Sequence, residues 1–105
     1  MKRGTTPTHI FTLPIETELL SELKIMYAQD DEILLEKRAK NCEMTKNTAS
    51  VTLTQDETFL FNCKKPVQIQ VRALTVAGVA LISPIMLISV EKCLDSEVLK
   101  NDIEC

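Results

Sequence analysis

Between Val67 and Val90 the chain reads VQIQVRALTVAGVALISPIMLISV, and two architectures fit parts of it. Val67, Ile69, Val71 and Ala73 alternate with Gln68, Gln70, Arg72 and Leu74. This period of two puts the apolar side chains on one face of a strand. Gly78, closing Thr75-Val76-Ala77-Gly78, can take the positive φ of a tight hairpin loop. Val79 to Ser83 is then expected to return along the first strand. Pro84 has no N–H to give a ladder, so it marks a bulge, a bend or an edge. Ile85 to Val90 reads as a further strand or as the same strand continued past that break.

The competing architecture counts Ala73 to Val90, eighteen residues without a charge. A spanning helix needs about 20 mainly apolar residues, and Thr75, Gly78, Ser83, Pro84 and Ser89 dilute this segment. The alternation of Val67 to Arg72 also runs directly into it. Strands are therefore expected, and no membrane association.

The same reasoning orders the rest of the chain. Met1 to Pro7 is a polar lead-in, and Thr8 to Leu13 alternates as a first strand with Phe11 and Leu13 inward, stopped by Pro14. Glu16 to Tyr27 fits both periods. Leu19, Leu20, Leu23, Met26 and Tyr27 suit a helix with Thr17 as N-cap, whereas Leu23, Ile25 and Tyr27 alternate as a strand. The turn signal Gln29-Asp30-Asp31-Glu32 and the run Ile33 to Lys37 favour a hairpin over Glu22 to Lys37. Arg38 to Asn47 is polar and ends in a turn at Lys46-Asn47. Thr48 to Thr54 is a strand by composition, with Ala49, Val51 and Leu53 on one face. Thr54-Gln55-Asp56-Glu57 has the form of a capping box, predicting a short helical turn near Gln55–Leu60 that carries Phe59, Leu60 and Phe61 under the core. Cys93 to Leu99 leaves the sheet, and residues 100–105 form a frayed tail.

About seven short strands, turns between them and one helical turn predict an all-β chain: an antiparallel β-sandwich of immunoglobulin-like type over residues 1–105.

Composition narrows this picture. The 105 residues suit one domain, and 45% hydrophobic with 26% charged residues is a globular balance. A net charge of -3, with cations scattered among acids, suggests no nucleic-acid surface; Lys37-Arg38-Ala39-Lys40 reads as a solvated loop. Met1-Lys2-Arg3 is followed by no apolar core region, so no signal peptide is expected and synthesis begins in the cytoplasm. Cys42, Cys63, Cys93 and Cys105 are then mostly free thiols, although their even number permits pairing.

Candidate chemistry is sparse. His9 is the sole histidine, which removes most acid–base and nucleophilic schemes near neutral pH. No cysteine pair has zinc-ligand spacing, neither acidic cluster has the form of a calcium loop, and no glycine-rich phosphate loop exists. No catalytic residue, metal or cofactor is expected, and the aromatic residues read as core.

Several blocks carry a resemblance. RGTTPT at Arg3 to Thr8, Tyr27-Ala28-Gln29, SVTLTQDET at Ser50 to Thr58, VQIQVRALT at Val67 to Thr75 and SVEKCLDSEVL at Ser89 to Leu99 resemble small phage and prophage proteins of gut Firmicutes. Those are similar in turn to the immunoglobulin-like N-terminal domain of phage baseplate upper proteins. The resemblance implies a non-enzymatic structural or assembly protein of the tail, baseplate or head-tail region, made in the host cytoplasm and then part of the virion. Its partners would be other phage structural proteins or itself as a homo-oligomer. A second class of function is a cytoplasmic binding protein of prophage origin that captures a host factor by a sheet edge or an apolar face. The unusually apolar return strand nominates Val76, Val79, Leu81, Ile82, Ile85, Met86 and Ile88 as the partner interface.

Overall fold

The computed structural model describes residues 1–100. Asn101 to Cys105, most of the expected tail, lies outside the described residues.

Strand β1 (Thr8–Thr12) pairs with β5 (Thr48–Thr52), which pairs with β4 (Glu43–Met44). The second sheet runs β3 (Glu32–Arg38), β2 (Leu20–Gln29) and β6 (Val67–Thr75), then β7 (Ala80–Ile82) and β8 (Met86–Ile88), which share the outer edge of β6. Every strand pairing is antiparallel. Two antiparallel sheets in this order form an immunoglobulin-like β-sandwich. Eight strands are formed among the described residues, one more than the pattern predicts, because Glu43–Met44 makes a two-residue ladder with Ser50 and Ala49. So short and polar a strand has no periodicity to read.

The inward rows are those the alternation marks. Leu23, Ile25 and Tyr27 from β2, Ala49 and Val51 from β5, Leu53 just beyond it, and Val67, Ile69 and Val71 from β6 are buried together. The helix-or-strand ambiguity at Glu16 to Tyr27 resolves as strand from Leu20 onward. Only Thr17–Leu19 turns, as one 3-10 turn, and Glu16 precedes it without a side-chain cap. Propensity favours helix here, but a long strand between β3 and β6 buries three large side chains at once. Asp30 and Asp31, at φ 50° and 64°, form the tight β2–β3 hairpin loop.

The capping box forms. Thr54 Oγ1 accepts from the Glu57 N–H at 3.2 Å, and Glu57 Oε1 accepts from the Thr54 N–H at 2.8 Å, opening helix α1 (Gln55–Thr58). The residues after it do not all enter the core. Phe61 is buried, but Leu60 is 52% exposed, and Phe59 lies beneath the Arg3 guanidinium, 5.4 Å from its ring centre. Three consecutive residues leaving a helix cannot share one face, so only Phe61 points inward. The lead-in is tied down: the Gly4 N–H donates to Thr58 Oγ1, which donates to the Thr5 carbonyl. Lys2 meets Glu91 in a parallel bridge.

Candidate interaction surface

The outer strand of the wider sheet is broken where proline stands. On β6, Ile69 to Arg72 is spanned by Met86 back to Ile82 on the partner, which therefore carries one extra residue. That residue is accommodated as a bulge at Ser83-Pro84. Ser83 replaces the lost ladder: its N–H donates to the Val71 carbonyl and its Oγ accepts from the Val71 N–H, both at 2.9 Å. Its carbonyl accepts from the Gln70 amide at 3.0 Å. Gly78, at φ 87°, closes the β6–β7 hairpin, its N–H donating to the Thr75 carbonyl.

Register divides the nominated residues between two faces. Leu81, Met86 and Ile88 stand opposite Ala73, Ile69 and Val67 and therefore point inward. Ile82 opposes Arg72 and points outward, 63% exposed. Ile85 is exposed beyond the bulge, and Val76 and Val79 are exposed at the hairpin tip. Leu87, opposite Gln68 and also exposed, completes this outer row. Leu87 is not among the residues nominated from the sequence, where apolar excess alone does not tell the two faces apart.

Met86 points inward yet remains 38% exposed. The narrower sheet ends at β1, while the wider sheet continues past β6 to β7 and β8. Nothing among the described residues covers Met86 and Leu81 from across the sandwich. The result is a groove of about 420 Å³ between the β1 edge and the β7–β8 edge, lined by Ile10, Leu13, Leu20, Leu81, Pro84 and Met86 among others. Two uncharged stretches meet here. One is Ala73 to Val90; the other is Gly4 to Ile15, which holds β1 and also lacks any Asp, Glu, Lys or Arg. Scanning for charge-free runs would have found the second stretch. Its position beside the first is decided only by the fold.

The backbone of β1 adds directional chemistry. The Leu53 N–H donates to the Pro7 carbonyl and the Leu13 N–H to the Asn47 carbonyl, at 2.9 and 2.7 Å. These bonds bracket the ladder with β5, so the odd-numbered residues between them turn their backbone groups toward β5. The N–H and C=O of Thr8, Ile10 and Thr12 then face outward along the groove.

His9 Nδ1 lies 2.7 Å from the Tyr27 hydroxyl. Burial lowers the His9 pKa and raises that of the Tyr27 phenol, which neighbouring Cys42 and Glu57 raise further. In each case burial favours the neutral form. Cys42, Cys63 and Cys93 are free; burial raises the Cys42 thiol's pKa against the opposing charge of Lys37. Cys105 lies outside the described residues. Among the described residues no group of three or more His, Cys, Asp or Glu side chains is placed to hold a metal, and no helix is long and apolar enough to cross a membrane.

No known protein family and no curated protein matches this sequence. Among solved structures, the chain is similar to the immunoglobulin-like domain of mouse leukocyte-associated immunoglobulin-like receptor 1, crystallised as a strand-swapped dimer. Identity is 13% and the TM-score 0.50, over 88% of this chain and 85% of that one. The likeness is one of fold: both are immunoglobulin-like β-sandwiches.

Proposed function

We propose that this chain is a non-enzymatic structural or assembly module of a phage or prophage particle, working by protein–protein contact in the tail, baseplate or head-tail region. It is made in the host cytoplasm and then incorporated into the particle. The observation that carries the contact role is the open apolar groove between the β1 and β7–β8 edges, with Ile10 exposed at its β1 rim and Ile82, Ile85 and Leu87 exposed on the outer side of the β7–β8 edge. Apolar side chains gathered in the open, on a chain whose residues are 26% charged, support an interface there. The particle assignment rests on the resemblance of RGTTPT, SVTLTQDET and VQIQVRALT to phage proteins. Copies of this chain are candidate partners alongside other particle subunits, and the similar receptor domain is itself a strand-swapped dimer.

Mass spectrometry of particles purified from the source cell tests this reading. The chain is expected at a fixed ratio to the tail subunits. Absence from particles, with recovery instead in a stable complex with a host cytoplasmic protein, would overturn particle membership in favour of host-factor capture.

A further inference from the structure

We infer that the groove beside β1 is the receiving site for one extended, uncharged strand from a partner protein, which adds to the β1 edge and covers Leu81 and Met86. This deepens the contact role proposed above and rests on it.

Four sheet edges are available, and three are blunted. The β3 edge carries Glu32, Glu36, Lys37 and Arg38. The β4 edge is two residues long, and the β7–β8 edge is broken at Ser83-Pro84. Charges, shortness and proline are the usual protections against strand addition. Among the described residues only β1, THIFT, is uncharged and unbroken, and the outward N–H and C=O groups of Thr8, Ile10 and Thr12 have no partner there.

Immunoglobulin-like sandwiches of the constant type have four strands in the sheet that here has three, in the order A-B-E-D. In this chain β1, β5 and β4 take the last three places, and among the described residues nothing fills the place beside β1, over Leu81 and Met86. The lead-in does not take it, because the Arg3 N–H donates to the Glu91 carbonyl and the Glu91 N–H to the Met1 carbonyl, which ties it to the segment beyond β8.

The chemistry of the occupant follows. Its backbone pairs with Thr8, Ile10 and Thr12, so it is extended over about five residues, the length of β1. Alternate side chains enter the groove against Leu81, Met86 and Leu13 and must be apolar. A charge there would be desolvated without a partner, since neither flanking stretch contains an ionised side chain. A whole second copy does not fit by pairing β1 with β1. A two-fold axis at that edge continues the narrower sheet but drives the copy's wider sheet into β7 and β8. One strand's width fits.

The test uses the full chain, isotopically labelled, titrated with an acetylated and amidated peptide of sequence TASVTLT. This probe is uncharged and apolar at every second position. Amide exchange at Thr8, Ile10 and Thr12 is expected to be fast in the free protein and slowed by peptide, while His9 and Phe11 are protected throughout. Replacing the probe's valine and leucine with lysine is expected to abolish binding. Ile10→Pro removes an outward donor without touching the β5 ladder and is expected to raise the dissociation constant about tenfold. Unchanged exchange at the three outward amides, or equal binding by the lysine peptide, overturns the proposal. Self-association of the free protein that Ile10→Pro abolishes would also overturn it, by assigning the strand to a second copy. These outcomes are independent of particle mass spectrometry, so failure here leaves particle membership standing.

Discussion

The imidazole of His9 on β1 and the hydroxyl of Tyr27 on β2 meet at 2.7 Å, a polar link between the two sheets. Tyr27 is fully buried and packs on Phe61, ring centres 6.0 Å apart. Its hydroxyl has no other partner among the described residues, so His9 alone satisfies it. His9→Ala is expected to cost about 2 kcal/mol, the penalty of an unpaired buried hydroxyl. Tyr27→Phe in the His9→Ala background should cost much less than in the wild type. Urea denaturation of the single and double variants measures the coupling; additive losses would show that the link contributes nothing.

The same histidine sets a pH dependence. Burial holds the His9 pKa below its ordinary value of 6.5, so the unfolded chain binds more protons than the folded one as pH falls past that value. Stability is therefore full above about pH 6.5 and is lost as pH falls from there through the folded pKa. His9 is the only histidine, so His9→Gln is expected to flatten the urea midpoint between pH 7.5 and 5.5.

At lower pH Glu57 takes over. Partial burial raises its pKa, but the Lys37 ammonium, 2.5 Å away, and the Thr54 N–H outweigh that and hold it below the usual range. Its contribution is present above the unfolded carboxylate pKa and disappears as pH falls through the folded one. Glu57→Gln should weaken the acid sensitivity of thermal unfolding below about pH 4.5. Thr54→Ala, which removes the cap itself, is expected to cost about 1 kcal/mol at neutral pH.

Gln29 is buried and spent on backbone. Its amide donates to the carbonyls of Asn62 and Lys65 at 2.7 and 2.9 Å and accepts from the Asn62 N–H at 2.8 Å. Gln29→Ala should destabilise the fold by about 2–3 kcal/mol. Hydrogen exchange should show the loss concentrated at Asn62 to Lys65, ahead of β6.

Much of this was legible from spacing. The rows Leu23-Ile25-Tyr27, Ala49-Val51-Leu53 and Val67-Ile69-Val71 fill the core because a strand's period of two is fixed by its backbone geometry. The capping box at Thr54 and Glu57 was legible for a similar reason: its partners are three residues apart. The candidate interface was legible only in part. Apolar excess nominated Val76 to Ile88, but which of those side chains face inward depends on the register against β6 and on the bulge at Ser83-Pro84. His9 and Gln29 gave no signal, since their partners lie 18 and 33 residues or more away.

The sequence by itself determined the fold class, the strand faces and the charge-free run from Ala73 to Val90, because alternation, turn residues and caps act over a few residues. Tertiary structure alone decided that this run lies beside Gly4 to Ile15, that the narrower sheet stops at β1, and that Leu81 and Met86 are left facing an open groove. Those facts depend on how many strands each sheet receives and where each sheet ends, which no local pattern encodes.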